Sequence, residues 1–226
     1  MKLVLLPGMD GTGILFENFI KASTQECLVI PLPADGKQDH KSLAEYIRNE
    51  LPDDEFILLA ESFSGGLVPH LLNQTSNRIR GVIFVASFLS SPNLKLMFLA
   101  RIFPFEKMIP FWITKIILKK MFLDQSTTDD LLIKCVRIIR SVPKEILKKR
   151  LMTMAQMKLP EMNFLVPTVY IQAKNDRAVK AEKYPEFLRV FPNIQLYRIS
   201  GPHFILQSNP VESAQLISEA ILHLRR

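Results

Sequence analysis

Residues 56–66, Phe-Ile-Leu-Leu-Ala-Glu-Ser-Phe-Ser-Gly-Gly, run a buried-type apolar stretch straight into a serine. Ser62 has small residues, Ala60 and Ser64, two positions to either side. That spacing suits a nucleophile held in a sharp strand-to-helix turn, where only small neighbours let the two elements approach closely. The helix beyond it would offer backbone N–H groups and a partial positive charge to a developing oxyanion. The strict form of the motif is Gly-x-Ser-x-Gly, and here other small residues replace both glycines. Ser64 is a rival, flanked by Ser62 and Gly66. Ser62 is preferred because it lies just past the strand end, where the turn is sharpest.

A serine needs a base, and the base needs an orienting acid. Of four histidines, His203 lies in a loop, Ser200-Gly201-Pro202-His203-Phe204, after the last strand pattern. His70 falls in the helix behind the serine, and His40 and His223 read as lying in or beside polar helix surface. For the acid, Asp176 sits in Ala173-Lys174-Asn175-Asp176-Arg177, just past another strand. Asp10 competes, but it lies on a glycine-rich loop, Pro7-Gly8-Met9-Asp10-Gly11-Thr12-Gly13, that suits oxyanion binding better. The N–H groups of Met9 and Phe63 are the expected pair of oxyanion donors. The same loop lacks the Gly-Lys-Ser/Thr ending of a phosphate loop and the glycine order of a dinucleotide site.

These residues must be placed by a sheet. Six short apolar runs, at 3–6, 27–30, 56–60, 82–86, 168–172 and 194–199, read as strands. Most lack alternation, as expected when both faces of a parallel sheet are buried. Amphipathic patterns separate them. Ser42-Leu43-Ala44-Glu45 reads as a capping box opening a helix to about residue 51. A helix over 67–73 follows the third strand, and 211–224 forms a C-terminal helix with Pro210 at its start. Strand–helix alternation gives an α/β fold with a parallel sheet. From about residue 92 to 162 no strand pattern occurs, only helical patterns cut by prolines.

The chain of 226 residues suffices for one sizeable core. Cys27 and Cys135 have no metal or redox spacing and read as buried small hydrophobes in a reducing compartment. The first residues do not read as a signal peptide, and no apolar run approaches the roughly 18–20 residues that span a bilayer, so a cytoplasmic location is expected. The net charge of +7 is uneven: residues 90–160 carry 14 lysines and arginines against 5 acids. Lys134, Arg137 and Arg140 recur along one helix face, followed by Lys144, Lys148, Lys149 and Arg150. Such a face is either simply solvated or attracts an anionic membrane surface or an acidic acyl carrier protein, which adds peripheral membrane contact to the expectations. Nucleic acid is not expected, because no binding motif accompanies the charge.

Taken together, the oxyanion loop at 6–11, the serine turn at 61–66, the acid loop at 174–179 and the histidine loop at 201–204 resemble the α/β-hydrolase superfamily over nearly the whole chain. The order Ser, Asp, His agrees. The resemblance implies a mostly parallel six-stranded sheet lacking the usual first two strands, with residues 1–89 and 163–226 as the core. It also implies an all-helical lid at 90–162, inserted between the fourth and fifth strands. Pro69, early in the helix behind the serine, departs from the pattern because it removes a backbone hydrogen bond. The implied activity is cleavage of a carboxylic ester or thioester with an apolar acyl chain, through an acyl-enzyme on Ser62, of esterase, lysophospholipase or thioesterase type. Neither cofactor nor metal is expected. Phe98, Phe103, Phe111 and Trp112 are candidate walls of the acyl pocket. An acyltransferase with the same three groups, or a non-catalytic binding protein on a hydrolase scaffold, are the alternatives.

Overall fold

The computed structural model describes residues 1–75, 77–92 and 110–225. Six strands form one sheet: β1 Lys2–Leu6, β2 Cys27–Val29, β3 Phe56–Glu61, β4 Ile79–Val85, β5 Thr168–Ala173 and β6 Ile194–Ile199. Their order is β2-β1-β3-β4-β5-β6, and every pairing is parallel. All C-terminal strand ends therefore lie on one edge, where open α/β sheets bind ligands. Each of the six expected strands is present, with ends shifted by at most three residues.

The apolar runs lack alternation because both faces are covered. Val4, Leu58, Val82 and Phe84 pack on one side against α2 (His40–Glu50), α3 (Val68–Thr75) and α7 (Tyr184–Val190). Leu3, Leu5, Ile57, Leu59, Ile83 and Val169 face the other way, against α1 (Glu17–Ala22), the short α8 (Ile205–Ser208) and α9 (Pro210–Leu224). Pro210 opens α9 as its first residue, where a missing N–H costs no helical hydrogen bond.

Two local expectations change. Ser42 does not cap α2. The helix begins at His40, and Asp39 caps it by accepting from the Ser42 N–H at 2.9 Å. The Ser42 hydroxyl donates to the same carboxylate, so it is not free to cap a helix of its own. Pro69 is accommodated because the turn after β3 runs as a 3₁₀ helix, Ser62–Leu67, and the α-helix begins only at Val68. Pro69 thus sits in the first turn, where its missing N–H leaves no broken bond.

Between β4 and β5 the described residues form three helices and no strand: α4 Phe111–Met121, α5 Asp129–Ser141 and α6 Lys144–Gln156. Thr128 caps α5 through the Leu131 N–H, and Asp129 and Asp130 complement its dipole. Leu118, Leu123, Leu132, Cys135, Val136 and Ile138 form a core of their own that also takes in Leu15 and Phe204 from the sheet side. These helices therefore close over the C-terminal edge of the sheet. Cys135 is fully buried as expected, whereas Cys27 on the edge strand β2 is only partly buried. No described helix is long and apolar enough to cross a membrane.

Candidate active site

Ser62 is the first residue beyond β3 and has φ 49°, in the left-handed region that non-glycine residues rarely adopt. The turn is held from three sides. Its carbonyl accepts from the Ser87 hydroxyl at 2.7 Å, in the loop after β4. A Cβ on Gly65 would lie 1.9 Å from that hydroxyl, and one on Gly66 would lie 2.4 Å from the His40 ring. Ser64 is fully buried, and its hydroxyl donates to the Pro7 carbonyl in the loop after β1. Ser64 therefore ties two loops together and is not aimed at the cavity.

The side chains of Ser62, His203 and Asp176 meet in one buried chain of hydrogen bonds. Ser62 Oγ lies 2.9 Å from His203 Nε2, and His203 Nδ1 lies 2.7 Å from Asp176 Oδ2. The other oxygen of Asp176 accepts the N–H groups of Ala178 and Val179, both at 2.8 Å, which fixes the carboxylate. Burial is the largest influence on His203 and pushes its pKa down. The charge and hydrogen bond of Asp176, helped by the charge of Glu61, outweigh it, and the imidazole ends above its ordinary 6.5. Met9 and Phe63 stand where the sequence puts them, on the loop after β1 and at the start of the turn after β3. The first N–H groups of a helix have no partner within it, which leaves that of Phe63 available.

Beside Ser62 and His203 lies a cavity of about 220 Å³. Leu15, Ile117, Leu118 and Phe122 wall it, with Ile139, Leu147, Leu151 and Phe204. The Phe122 ring stands edge-on to His203, 5.4 Å between centroids. Of the four aromatic residues expected here, Phe98 and Phe103 lie outside the described residues. Phe111 and Trp112 are 40% and 63% exposed and do not line the cavity. Phe111, the first residue of α4, packs against the Arg140 guanidinium, and Trp112 shares an outer face with Ile116. The inner face of α4 is Thr114, Ile117 and Leu118.

Four charged or polar residues have surroundings other than those expected. His40 is buried, not on polar helix surface. It packs on the Phe63 ring at 4.8 Å, and burial pushes its pKa down to about 4. Arg150 is 1% exposed and belongs to no solvated basic face. Lys134 pairs with Glu17 at 2.6 Å. Glu61, inside the serine motif but given no role from sequence, is buried in the cavity wall and accepts from Gln207 at 3.0 Å. Burial raises its pKa to about 7, and the charge of nearby Asp10 adds to the rise. Asp10 is itself raised by burial, against the bonds it accepts from Thr12. A carboxyl ending a strand of otherwise apolar residues was the signal in the sequence.

Six parallel strands in this order, a serine on a left-handed turn after β3, an acid after β5 and a histidine after β6 define an α/β-hydrolase. The chain belongs to the family described as serine aminopeptidase, S33, which matches residues 27–201 and so includes Ser62 and Asp176. The loop carrying Met9 and the residue His203 lie outside that match. Among solved structures, an esterase from Thermogutta terrifontis superposes with TM-score 0.82 at 16% identity, covering 100% of this chain and 91% of its own. A membrane phospholipase A described as a bacterial virulence factor gives 0.82 at 15%, covering 100% and 79%. An esterase from Exiguobacterium antarcticum gives 0.78 at 15%, covering 97% and 91%. A search of curated proteins finds no match.

The coupling of Glu61 to His203 is open to direct titration. In ¹⁵N-histidine NMR, His203 is expected to titrate above 6.5, and in Glu61→Gln at lower pH than in the wild type, because an anion favouring imidazolium is gone. The same titration point in both proteins would show that Glu61 does not act on His203.

Proposed function

We propose that the protein is a serine hydrolase of carboxylic esters or thioesters with apolar acyl chains. The observation behind this reading is the hydrogen-bonded sequence Ser62 Oγ, His203 Nε2, His203 Nδ1, Asp176 Oδ2 beside an apolar cavity. In the proposed cycle Ser62 Oγ attacks the acyl carbonyl carbon and its proton passes to His203 Nε2. Asp176 holds the imidazole tautomer and favours the imidazolium. The N–H groups of Met9 and Phe63 take the oxyanion. The intermediate collapses, and the leaving alcohol or thiol departs with the proton from His203. Water, deprotonated by His203, then attacks the acyl-enzyme. The acid leaves and Ser62 recovers its proton. A binding protein on the same scaffold would need none of the three groups aligned.

Hydrolysis of p-nitrophenyl alkanoates tests the reading. Ser62→Ala is expected to lower turnover by at least about 10³-fold, with octanoate preferred over acetate in the wild type. Turnover surviving in Ser62→Ala would move the nucleophile elsewhere. Adding a long-chain alcohol and measuring the ester formed separates an acyltransferase from a hydrolase.

We further propose that the inserted helices act as a lid that meets an anionic lipid surface. Trp112 and Ile116 are exposed on α4, and Lys120, Arg137, Lys144 and Lys148 are exposed on the same three helices. Trp112 is the single tryptophan of the chain, so its fluorescence reports the contact. Anionic vesicles at low salt are expected to shift its emission to the blue, with the shift fading as salt screens the attraction. No shift with such vesicles, or a shift only with an acidic acyl carrier protein, would overturn the lipid assignment.

A further inference from the structure

Arg150 is among the largest fully buried side chains, yet no carboxylate lies within ion-pair distance of it among the described residues. From α6 its guanidinium reaches three separate acceptors. Nη1 donates to the Met9 carbonyl at 2.9 Å, Nη2 to the Pro33 carbonyl at 2.9 Å, and Nε to Gln38 Oε1 at 2.8 Å. Gln38 is itself buried and anchored on the Pro33 and Asp35 carbonyls. Asp10 supplies the compensating negative charge from farther off. The slot exists because residue 11 is glycine: a Cβ there would lie 2.3 Å from Nη1, and its φ of 72° is also one glycine adopts freely.

The contact falls on a mechanistically sensitive residue. Two peptide planes flank Met9, and each is pinned by its carbonyl. The Gly8 carbonyl, on the plane that carries the Met9 N–H, accepts from the Gly11 N–H at 3.0 Å. In a trans peptide the N–H points opposite to the C=O, so the Met9 N–H is directed away from that turn. The next plane, with the Met9 carbonyl, is the one Arg150 holds. Together the two bonds fix φ and ψ of Met9. Helix docking alone does not call for a guanidinium here, since an apolar side chain would dock α6 without burying a charge. The forked geometry is what joining Met9, Pro33 and Gln38 requires.

We infer that Arg150 is a positioning residue of the oxyanion hole: from α6 it locks the Met9 peptide, making the reactivity of Ser62 depend on the seating of the inserted helices. The inference rests on the acyl-transfer reading of the site. Its contribution is expected in the transition state, because the ground-state acyl chain touches the apolar wall and not Arg150.

The test compares Arg150→Met, Arg150→Lys and Gln38→Ala with the wild type. Gln38→Ala removes one acceptor of the guanidinium but leaves the Met9 bond, so it controls for loosened docking. On a p-nitrophenyl ester, Arg150→Met is expected to lower kcat by about 10- to 100-fold with KM nearly unchanged, Arg150→Lys less so, and Gln38→Ala least. Affinity for an alkylboronic acid, which forms a tetrahedral adduct on serine, should fall in parallel with kcat/KM. Affinity for octanol should not fall. Hydrogen exchange should quicken at residues 8–13 in the Arg150 variants, with β3 unchanged. If Arg150→Met does not fold, Arg150→Lys carries the same comparison. Folded Arg150 variants with wild-type kcat and wild-type exchange at 8–13 would overturn the inference. A wild type that turns over no ester would instead refute the acyl-transfer reading, and the exchange measurement would still decide whether Arg150 fixes the loop.

Discussion

The candidate site depends on one backbone constraint, the left-handed conformation of Ser62 at φ 49°. Such a residue costs on the order of 1–3 kcal/mol and persists only when its surroundings over-determine it. Here the surroundings are specific. Ser87 holds the Ser62 carbonyl, Ser64 holds Pro7, and Gly65 and Gly66 allow the approach of Ser87 and His40. The loops after β1, β3 and β4 are thereby fastened to one another at the C-terminal edge of the sheet. His203 and Asp176 arrive from the ends of β6 and β5 because all strands are parallel.

The electrostatics of the same edge follow from how little water reaches it. Three carboxyl groups, Asp176, Glu61 and Asp10, stand around the Ser62–His203 pair. Asp176 is held by two N–H groups and the imidazole. Glu61 has Gln207 as its side-chain donor and is pushed by burial to about 7. Arg150 adds the opposite charge behind the Met9 loop without reaching the cavity.

The sheet was legible in the sequence because strands buried on both faces leave runs of apolar residues without alternation, and all six runs became strands. The grouping of Ser62, His203 and Asp176 was legible because each follows such a run. What stayed hidden was the burial of polar residues such as Glu61, Arg150 and His40. Arg150 stands among exposed lysines in the chain, and only the fold reveals the slot that Gly11 opens for it. His40 lies beside charged residues, yet its ring fills the space above Gly66. The pocket walls were misassigned on α4 because aromatic size was used where helix phase decides: Ile117 and Leu118 face inward while Trp112 faces out. Asp39, not Ser42, caps α2 because its carboxylate engages both the N–H and the hydroxyl of Ser42.

The proposed cycle requires Ser62 to be an activated nucleophile. Labelling the folded protein with a fluorophosphonate and mapping the adduct by peptide mass spectrometry tests it most directly. One adduct is expected, on Ser62, and it is lost when His203 is replaced by alanine. An adduct on Ser64, or none on folded protein either with or without lipid vesicles, would contradict it.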